Sequence, residues 1–523
     1  MKITKQSKKN LFITLCAYIV AAAGLFDLYR YYVVSDIVSH ITIAQKYAAG
    51  NYYDAVNGIW GVLISWLMVP FLGLGVEPVI IFKLLNLLLG ALAIVGIWLL
   101  AKRFLVKDTM EVLLLLISIP AVLSFAFVHT TADLLVLTVL LFFLYVGLSE
   151  NYYKNPWNAV QLGIIGGVGY FAKHYVFYVL FFYIPLSHVL LYFAKKDAAY
   201  RKKIIINFAL AFSIFLSISS IWIAAQSIKY GFLTTGTSVT YNRAWMSPES
   251  LGHAPEYLGL LEPPNATANS MWEDLTYYAP QMAGYGWVPF DGKENTLFQL
   301  LLIWDNILET LNAINKFSLV LGPVILVVSL LYIVKRLRSR VVLLDVGLYA
   351  MLFMGIAAGG YLLIRTSDRY IWICWALILI LGLHWLNRLL QYLPQKRNYA
   401  LVVMALFAFT FMFVPVRRLV INVYQDKQLY EIGKIMNEIN MQGRIATNAN
   451  WSNTSLISYY AGTVFLGKTQ KDLAPEDLSG ELQEHSVDYW LVWGEHAVSN
   501  EEFVLTAELP EYDLTIYRVV DDK

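Results

Sequence analysis

Eleven stretches of this chain are apolar for close to the ~20 residues a helix needs to cross a bilayer. They are Leu11–Tyr32, Val79–Leu100, Val112–Val128, Leu134–Leu148, two between Ala159 and Ala194 split near Lys173-His174, Ile204–Ser227, Phe317–Val334, Val341–Ile364, Tyr370–Trp385 and Tyr399–Val414. A soluble core cannot absorb that many. Only 15% of the 523 residues are charged and 58% are hydrophobic, where soluble domains carry about 25% charged residues. The expectation is an all-α polytopic membrane protein with about 11–13 transmembrane helices. The first run follows MKITKQSKKN and continues through Leu25 and Phe26, so it reads as a retained helix rather than a cleaved leader.

Basic residues give the orientation. Lys2, Lys5, Lys8 and Lys9 put the N-terminus in the cytoplasm. Lys102, Arg103 and Lys107 mark a second cytoplasmic connection. Further ones are marked by Lys195, Lys196, Arg201, Lys202 and Lys203, by Lys335, Arg336, Arg338 and Arg340, and by Lys396 and Arg397. The run Ile59–Leu74 is short and broken by Pro70, Gly73 and Gly75. Counted as a crossing it would upset this alternation, so it reads as a helix lying in or dipping into the outer leaflet. The unusual polar residues then gather outside, in loops 27–57 and 229–315, at His129 to Asp133, at Lys173-His174 and at Arg365 to Tyr370. A bacterial inner membrane is the expected location.

After the membrane part, residues 1–416, the chain changes character. Residues 417–523 read as a small soluble extracytoplasmic α/β domain. Gln425–Met441 is amphipathic, GRIATNAN, TVFLG, DYWLVWGE and YDLTIYRVV read as strands, and Ala474–His485 as a helix opened by its proline. The net charge is +2, which gives no field for nucleic acid. Cys16 and Cys374 both lie in apolar runs, so no disulfide framework is expected. No zinc spacing, phosphate loop or dinucleotide fingerprint is present.

Asp36 lies just after the first span, in VVSDIVSHITIAQKYAAGNYYD. A carboxylate there suits a general base that takes a proton from an attacking hydroxyl. His40, four residues on, shares its helical face and could orient it or bind an acceptor. The alternative is that both merely hydrate the interface. Asp27 and Asp54 are weaker candidates in the same loop. Lys173, Arg365 and Arg369 sit at outer ends of spans, where cations hold phosphate or merely anchor the interface. His174 adjoins Lys173 and is a candidate for the same donor-phosphate or substrate contact. His129 and Asp133 flank a short turn, and Asp133 reads first as a helix cap.

Three places resemble the C-type (GT-C) membrane glycosyltransferases, the group of protein O-mannosyltransferases and the lipid A aminoarabinose transferase. One is the acid soon after the first span, followed by AQKYAAGNYYD and GIWGVLISWLMVPF. The second is GYFAKHYVF, and the third is SDRYIW. The resemblance spans roughly Leu11–Val416 and is one of layout. It implies inverting transfer of a single sugar from a polyprenyl-phosphate donor on the extracytoplasmic face. Asp36 takes the base position, with Lys173 and Arg369 on the donor phosphate. The acceptor is left open among lipid, polysaccharide and protein, and membrane lipids are the other partners. A divalent cation is the one cofactor it leaves open, with no metal ligands assigned. Ser35-Asp36 stands where these families often carry two acids. No WWDYG-like motif is present, which argues against transfer of a whole oligosaccharide to asparagine. The rival readings are a transporter or flippase of lipid-linked sugars, for which neither repeated halves nor charges deep in the spans are seen, and a non-catalytic scaffold subunit.

Overall fold

The computed structural model describes residues 3–104, 106, 108–250, 258–336, 340–392, 397–470, 475–494 and 502–520. Lys2, Lys107, Arg338 and Lys396, used above for orientation, and Ala474 lie outside these. The main helices, in chain order, are α1 (Lys5–Tyr29), α2 (Ser35–Ala48), α3 (Pro78–Arg103), α4 (Asp108–Val128), α5 (Asp133–Gly147), α6 (Pro156–Ala172), α7 (Tyr175–Ala194) and α8 (Ala198–Tyr230). They continue with α9 (Gly292–Ser318), α10 (Leu321–Arg336), α11 (Val346–Leu362), α12 (Trp372–Tyr392) and α13 (Arg397–Ile421). After them come α14 (Lys427–Glu438), α15 (Trp451–Ala461) and α16 (Pro475–Glu484). Among the described residues, eight helices are long and apolar enough to cross a membrane. This is an integral, multi-pass membrane protein.

The chain forms two compact units. The first comprises Met1–Tyr29, Lys83–Thr235 and Pro289–Val423. Each of the eleven apolar runs forms a helix that lies wholly or mainly in this unit. One further helix falls where a loop was expected. Residues 229–315 contain most of α9, whose apolar face is diluted by Lys293, Glu294, Asp305 and Glu309. Its polar side chains bond the frayed end of α11. Gln299 donates to the Leu363 carbonyl (3.0 Å), and Asn306 donates to those of Leu362 and Ile364 (3.1 and 3.2 Å). Orphan carbonyls at a helix end need such donors where water is excluded.

Glycines set a close helix contact in this unit. A Cβ at Gly163 would lie 2.6 Å from the Ala211 carbonyl, and one at Gly167 would lie 2.5 Å from Ile218 Cγ2. This Gly-x-x-x-Gly pair lets α6 approach α8 backbone to side chain. Lys102 is not simply a loop cation either. It is buried and paired with Glu111, which also accepts from Ser7 Oγ (2.9 Å), so one carboxylate joins α1, α3 and α4.

The second unit comprises Arg30–Phe82, Gly236–Val288 and Tyr424–Lys523. Its sheet has five strands, β1 (Arg444–Thr447), β2 (Val464–Lys468), β3 (Tyr489–Trp493), β4 (Phe503–Leu509) and β5 (Leu514–Val519), in the order β2-β1-β3-β5-β4. β1 runs parallel to β2 and β3, while β5 is antiparallel to β3 and β4. β4 is the strand the sequence reading missed. Trp490, Leu466, Leu482 and Phe503 belong to the core against the sheet, and Leu260, from the long loop, belongs to it too. The Leu261 amide donates to the Leu466 carbonyl, and the Phe465 amide to the Asn269 carbonyl (2.8 Å each). Loop 260–270 is thus part of this soluble layer. Ile59–Leu74 forms a short helix, Leu63–Met68, running into a 3-10 turn, Val69–Leu74. At about 1.5–2.0 Å per residue it spans too little to cross ~30 Å of hydrocarbon.

Gly163→Val should cost about 1–3 kcal/mol by forcing α6 off α8, lowering the melting temperature in detergent. Gly359→Val, at a site with nothing within 4 Å of the added Cβ, should leave it nearly unchanged.

Candidate functional site

Within the first unit, a charged cluster forms where three helix junctions meet. Asp133 opens α5 and is 7% exposed. Lys173 Nζ lies 2.6 Å from its Oδ1, and Arg369 Nε 3.7 Å from its Oδ2. Thr131 Oγ1 donates to Oδ2 at 2.8 Å. Lys173 occupies the extended C-cap of α6 (φ −161°, ψ 130°), which breaks the helix and turns its side chain out of the α6–α7 line. Its ammonium sits 3.9 Å above the Tyr370 ring. Tyr370 stacks on Tyr361 (4.8 Å), and Tyr361 on Tyr175 (3.7 Å). The expected cap is therefore corrected. The α5 N-cap is Ala132, with no side-chain cap bond, and the Asp133 carboxylate binds cations instead.

A second group adjoins this one in sequence at both ends. Arg418 pairs with Asp368, and its Nη1 donates to His129 Nε2 at 2.9 Å. An arginine has only donors, so His129 must accept here as a neutral ring. Burial, and then the Arg418 charge, push its pKa down to about 4. Asp368 pairs with Arg418, and Asp133 faces both Lys173 and Arg369. Cations gathered at one carboxylate in this way suit an anionic ligand.

The remaining cations and imidazoles differ. Arg365 is exposed. His174 is 2% exposed and accepts from Gln226 Nε2 (2.7 Å) and Trp222 Nε1 (3.2 Å) on α8. It holds α8 to the α6–α7 junction rather than facing an open surface. Lys83, which the sequence reading passed over, is 1% exposed, with the equally buried Asn86 one turn on. A lysine inside an apolar 26-residue helix was the available signal.

Within the second unit, Asp36 lies in the first turn of α2, half-buried, and accepts from Trp272 Nε1 at 3.2 Å. Trp272 is fixed through its own carbonyl, which accepts from Ser39 Oγ and Trp60 Nε1 (3.3 Å each). Its ring packs near Trp451 and Tyr241, at 5.5 and 6.5 Å between centroids. Beside it, Lys46 and Glu273 form an ion pair with both side chains 3% exposed. Asn265 Nδ2 donates to the same carboxylate (3.0 Å), and Asn57 Nδ2 to the Glu273 carbonyl (2.7 Å). Ser39 and Lys46 are seven apart on α2, so one helix face meets the 271–273 turn. His40 is buried, stacked on Phe82 and edge-on to Trp60. Asp54 accepts from Asn51 Nδ2 at 2.7 Å. Trp272, Glu273 and Lys46 were not singled out in sequence. Only Lys46, on the Ser39 face, carried a local signal.

Among the described residues, no three His, Cys, Asp or Glu side chains are gathered so as to hold a metal ion.

No protein-family model matches the chain, and the curated proteins hold no match. Solved structures do match. The oligosaccharyltransferase of Archaeoglobus fulgidus in the apo form superposes with a TM-score of 0.54 at 12% identity, over 93% of this chain and 69% of that one. The same enzyme in complex with Zn and sulfate gives 0.53 at 11%, over 92% and 67%. The fold is that of the GT-C membrane glycosyltransferases. More particularly, the chain is similar end to end to ArnT of Cupriavidus metallidurans bound to undecaprenyl phosphate, with a TM-score of 0.53 at 13% identity over 97% of this chain and 98% of that one.

Removing one partner of a buried ion pair strands the other, at about 3–5 kcal/mol. Lys46→Met should therefore destabilise strongly in thermal unfolding. The double variant Lys46→Met/Glu273→Leu should recover much of the loss, since it leaves no unpaired charge.

Proposed function

We propose that this chain is a membrane glycosyltransferase. It moves a single sugar from a polyprenyl-phosphate donor to an acceptor hydroxyl on the extracytoplasmic face, with inversion. The observation that carries this reading is the fold likeness to ArnT over nearly the whole length of both chains, in a structure that holds undecaprenyl phosphate.

In this reading Asp36 is the general base. The acceptor hydroxyl oxygen attacks the sugar's anomeric carbon and passes its proton to Asp36. The bond from that carbon to the phosphate oxygen breaks, and polyprenyl phosphate leaves with the electron pair. Asp36 suits the role because it is only half-buried and is held in place by the neutral Trp272 indole. Lys173 and Arg369 are proposed as the donor-phosphate contacts. Two cations held side by side at one carboxylate can meet the phosphate of such a donor and favour the charge that grows on the leaving group. Arg365, being exposed, is a weaker candidate for the same ligand. The acceptor is a lipid, a polysaccharide or a protein that presents a hydroxyl.

Purified protein given radiolabelled polyprenyl-phosphate sugars and a membrane acceptor extract should transfer label. Asp36→Asn keeps the hydrogen bond from Trp272 and should fold normally. A positioned base contributes about 10²–10⁴-fold, so transfer should fall by at least ~100-fold. Wild-type rates in this variant would remove Asp36 from the mechanism.

Lys173→Met should raise the KM for the donor by about tenfold or more, since a charge-assisted phosphate contact contributes ~1.5–3 kcal/mol. The check is initial-rate kinetics at varied donor, and an unchanged KM would separate the Asp133 cluster from the phosphate.

A further inference from the structure

The first unit has a second place built for an anion, far along α12 from Arg369. A cavity of about 200 Å³ is lined by Arg103 and Phe104 of the α3 end, Tyr332 of α10, Asp345, and His384, Trp385 and Arg388 of α12. Arg388 lies sixteen residues beyond Trp372, about 24 Å along the helix. The cavity belongs to the helix ends that carry Lys102, Lys335 and Arg336.

Its charges do not cancel. Asp345 is occupied elsewhere: Oδ1 accepts from the Gly347 amide (2.8 Å), capping α11, and Oδ2 lies 3.7 Å from Arg336. Arg388 sits over the rings of Tyr332 and Trp385, at 5.3 and 5.1 Å, and no carboxylate pairs with it among the described residues. Arg103 uses Nε on the Tyr145 carbonyl (3.0 Å) and rests on the Tyr145 ring (4.1 Å). Its terminal nitrogens have no bonded partner among the described residues. The aromatic walls fix both guanidinium planes, and Trp385 is itself held by Ser329 Oγ at 2.9 Å. The His384 ring stands edge-on to Trp385, 5.5 Å between centroids.

Two pre-oriented forks with unused donors match phosphate oxygens. The other walls are apolar, Leu381, Ile333 and Phe104. The adjoining face of α10 exposes Val327, Leu330, Leu331 and Val334, a track along which acyl chains can lie. A soluble anion would need no such track. We propose that this cavity binds the phosphate of an anionic phospholipid headgroup, as a site separate from any donor site. Basic pockets between membrane helices suit such headgroups, and ~200 Å³ holds several water-sized groups, enough for a phosphate with part of its glycerol.

The test is native mass spectrometry of the full-length protein, delipidated and then titrated with phosphatidylglycerol or phosphatidylcholine. Wild type should retain a phosphatidylglycerol that phosphatidylcholine does not replace. Arg388→Gln and Arg103→Gln should each weaken that binding by tenfold or more at unchanged melting temperature. Arg201→Gln, a basic residue on another connection, should leave it unchanged. Wild-type binding by both cavity variants, or an equal loss in Arg201→Gln, would overturn the site. Displacement of the lipid by millimolar inorganic phosphate would assign the cavity to a soluble anion and overturn the lipid.

Discussion

A carboxylate at the end of a helix, in surroundings with little water, must find cations or lose its charge. Asp133 finds two. Lys173 reaches it from the break between α6 and α7, and Arg369 from the 3-10 turn ahead of α12. One residue thereby fixes three junctions of the first unit. Arg418 repeats the device next door, drawing α13 to Asp368 and to the turn before α5. Helices in lipid gain nothing from hydrophobic exclusion of one another. Polar pairs of this kind and the glycine contact between α6 and α8 therefore decide how they pack.

The second unit uses the same physics around an irregular segment. Glu273 comes from a turn with no regular structure to hold it, and Lys46, Asn265 and Asn57 supply the constraint instead. Asn57 also accepts from the amides of Ile59 and Trp60 (2.8 and 2.9 Å). A single amide thus links the 57–60 turn to Glu273. The Trp272 indole is aimed at Asp36 because the residue after Trp272 is tied down in this way. Precise placement on an irregular segment is obtained through buried polar contacts rather than through helix or sheet.

The membrane helices were legible because hydropathy over ~20 residues is a local property. α9 was not, since its charges and the amides of Gln299 and Asn306 serve neighbours on α11 that no local window includes. The two-residue gap between α6 and α7 was legible from Lys173-His174, yet the fates of these residues diverge. Lys173 joins Asp133, forty positions earlier, and His174 is walled in by Trp222 and Gln226. Asp133 reads as a cap to anyone counting only its own turn. Trp272 and Glu273 carry no pattern, because their partners on α2 are more than two hundred positions away. β4 was missed because its outward residues, Val504 and Leu505, blur the alternation that marks a half-buried strand. The placement of Asp36 just after the first span was legible, and so was the layout shared with the GT-C fold.

The five-stranded sheet has two rims, and neither invites another chain. At β2, the strap 259–270 occupies the free backbone groups. The fit is close enough that a Cβ on Gly467 would lie 2.7 Å from the Gly259 carbonyl, in a conformation (φ 134°) that glycine adopts readily. At β4, the pairing with β5 slips between Leu505 and Ala507, which kinks the outer strand and spoils it as a template. A protein crowded into a two-dimensional film meets copies of itself at high local concentration and in a fixed orientation. Closing both rims keeps such encounters from turning into fibre growth.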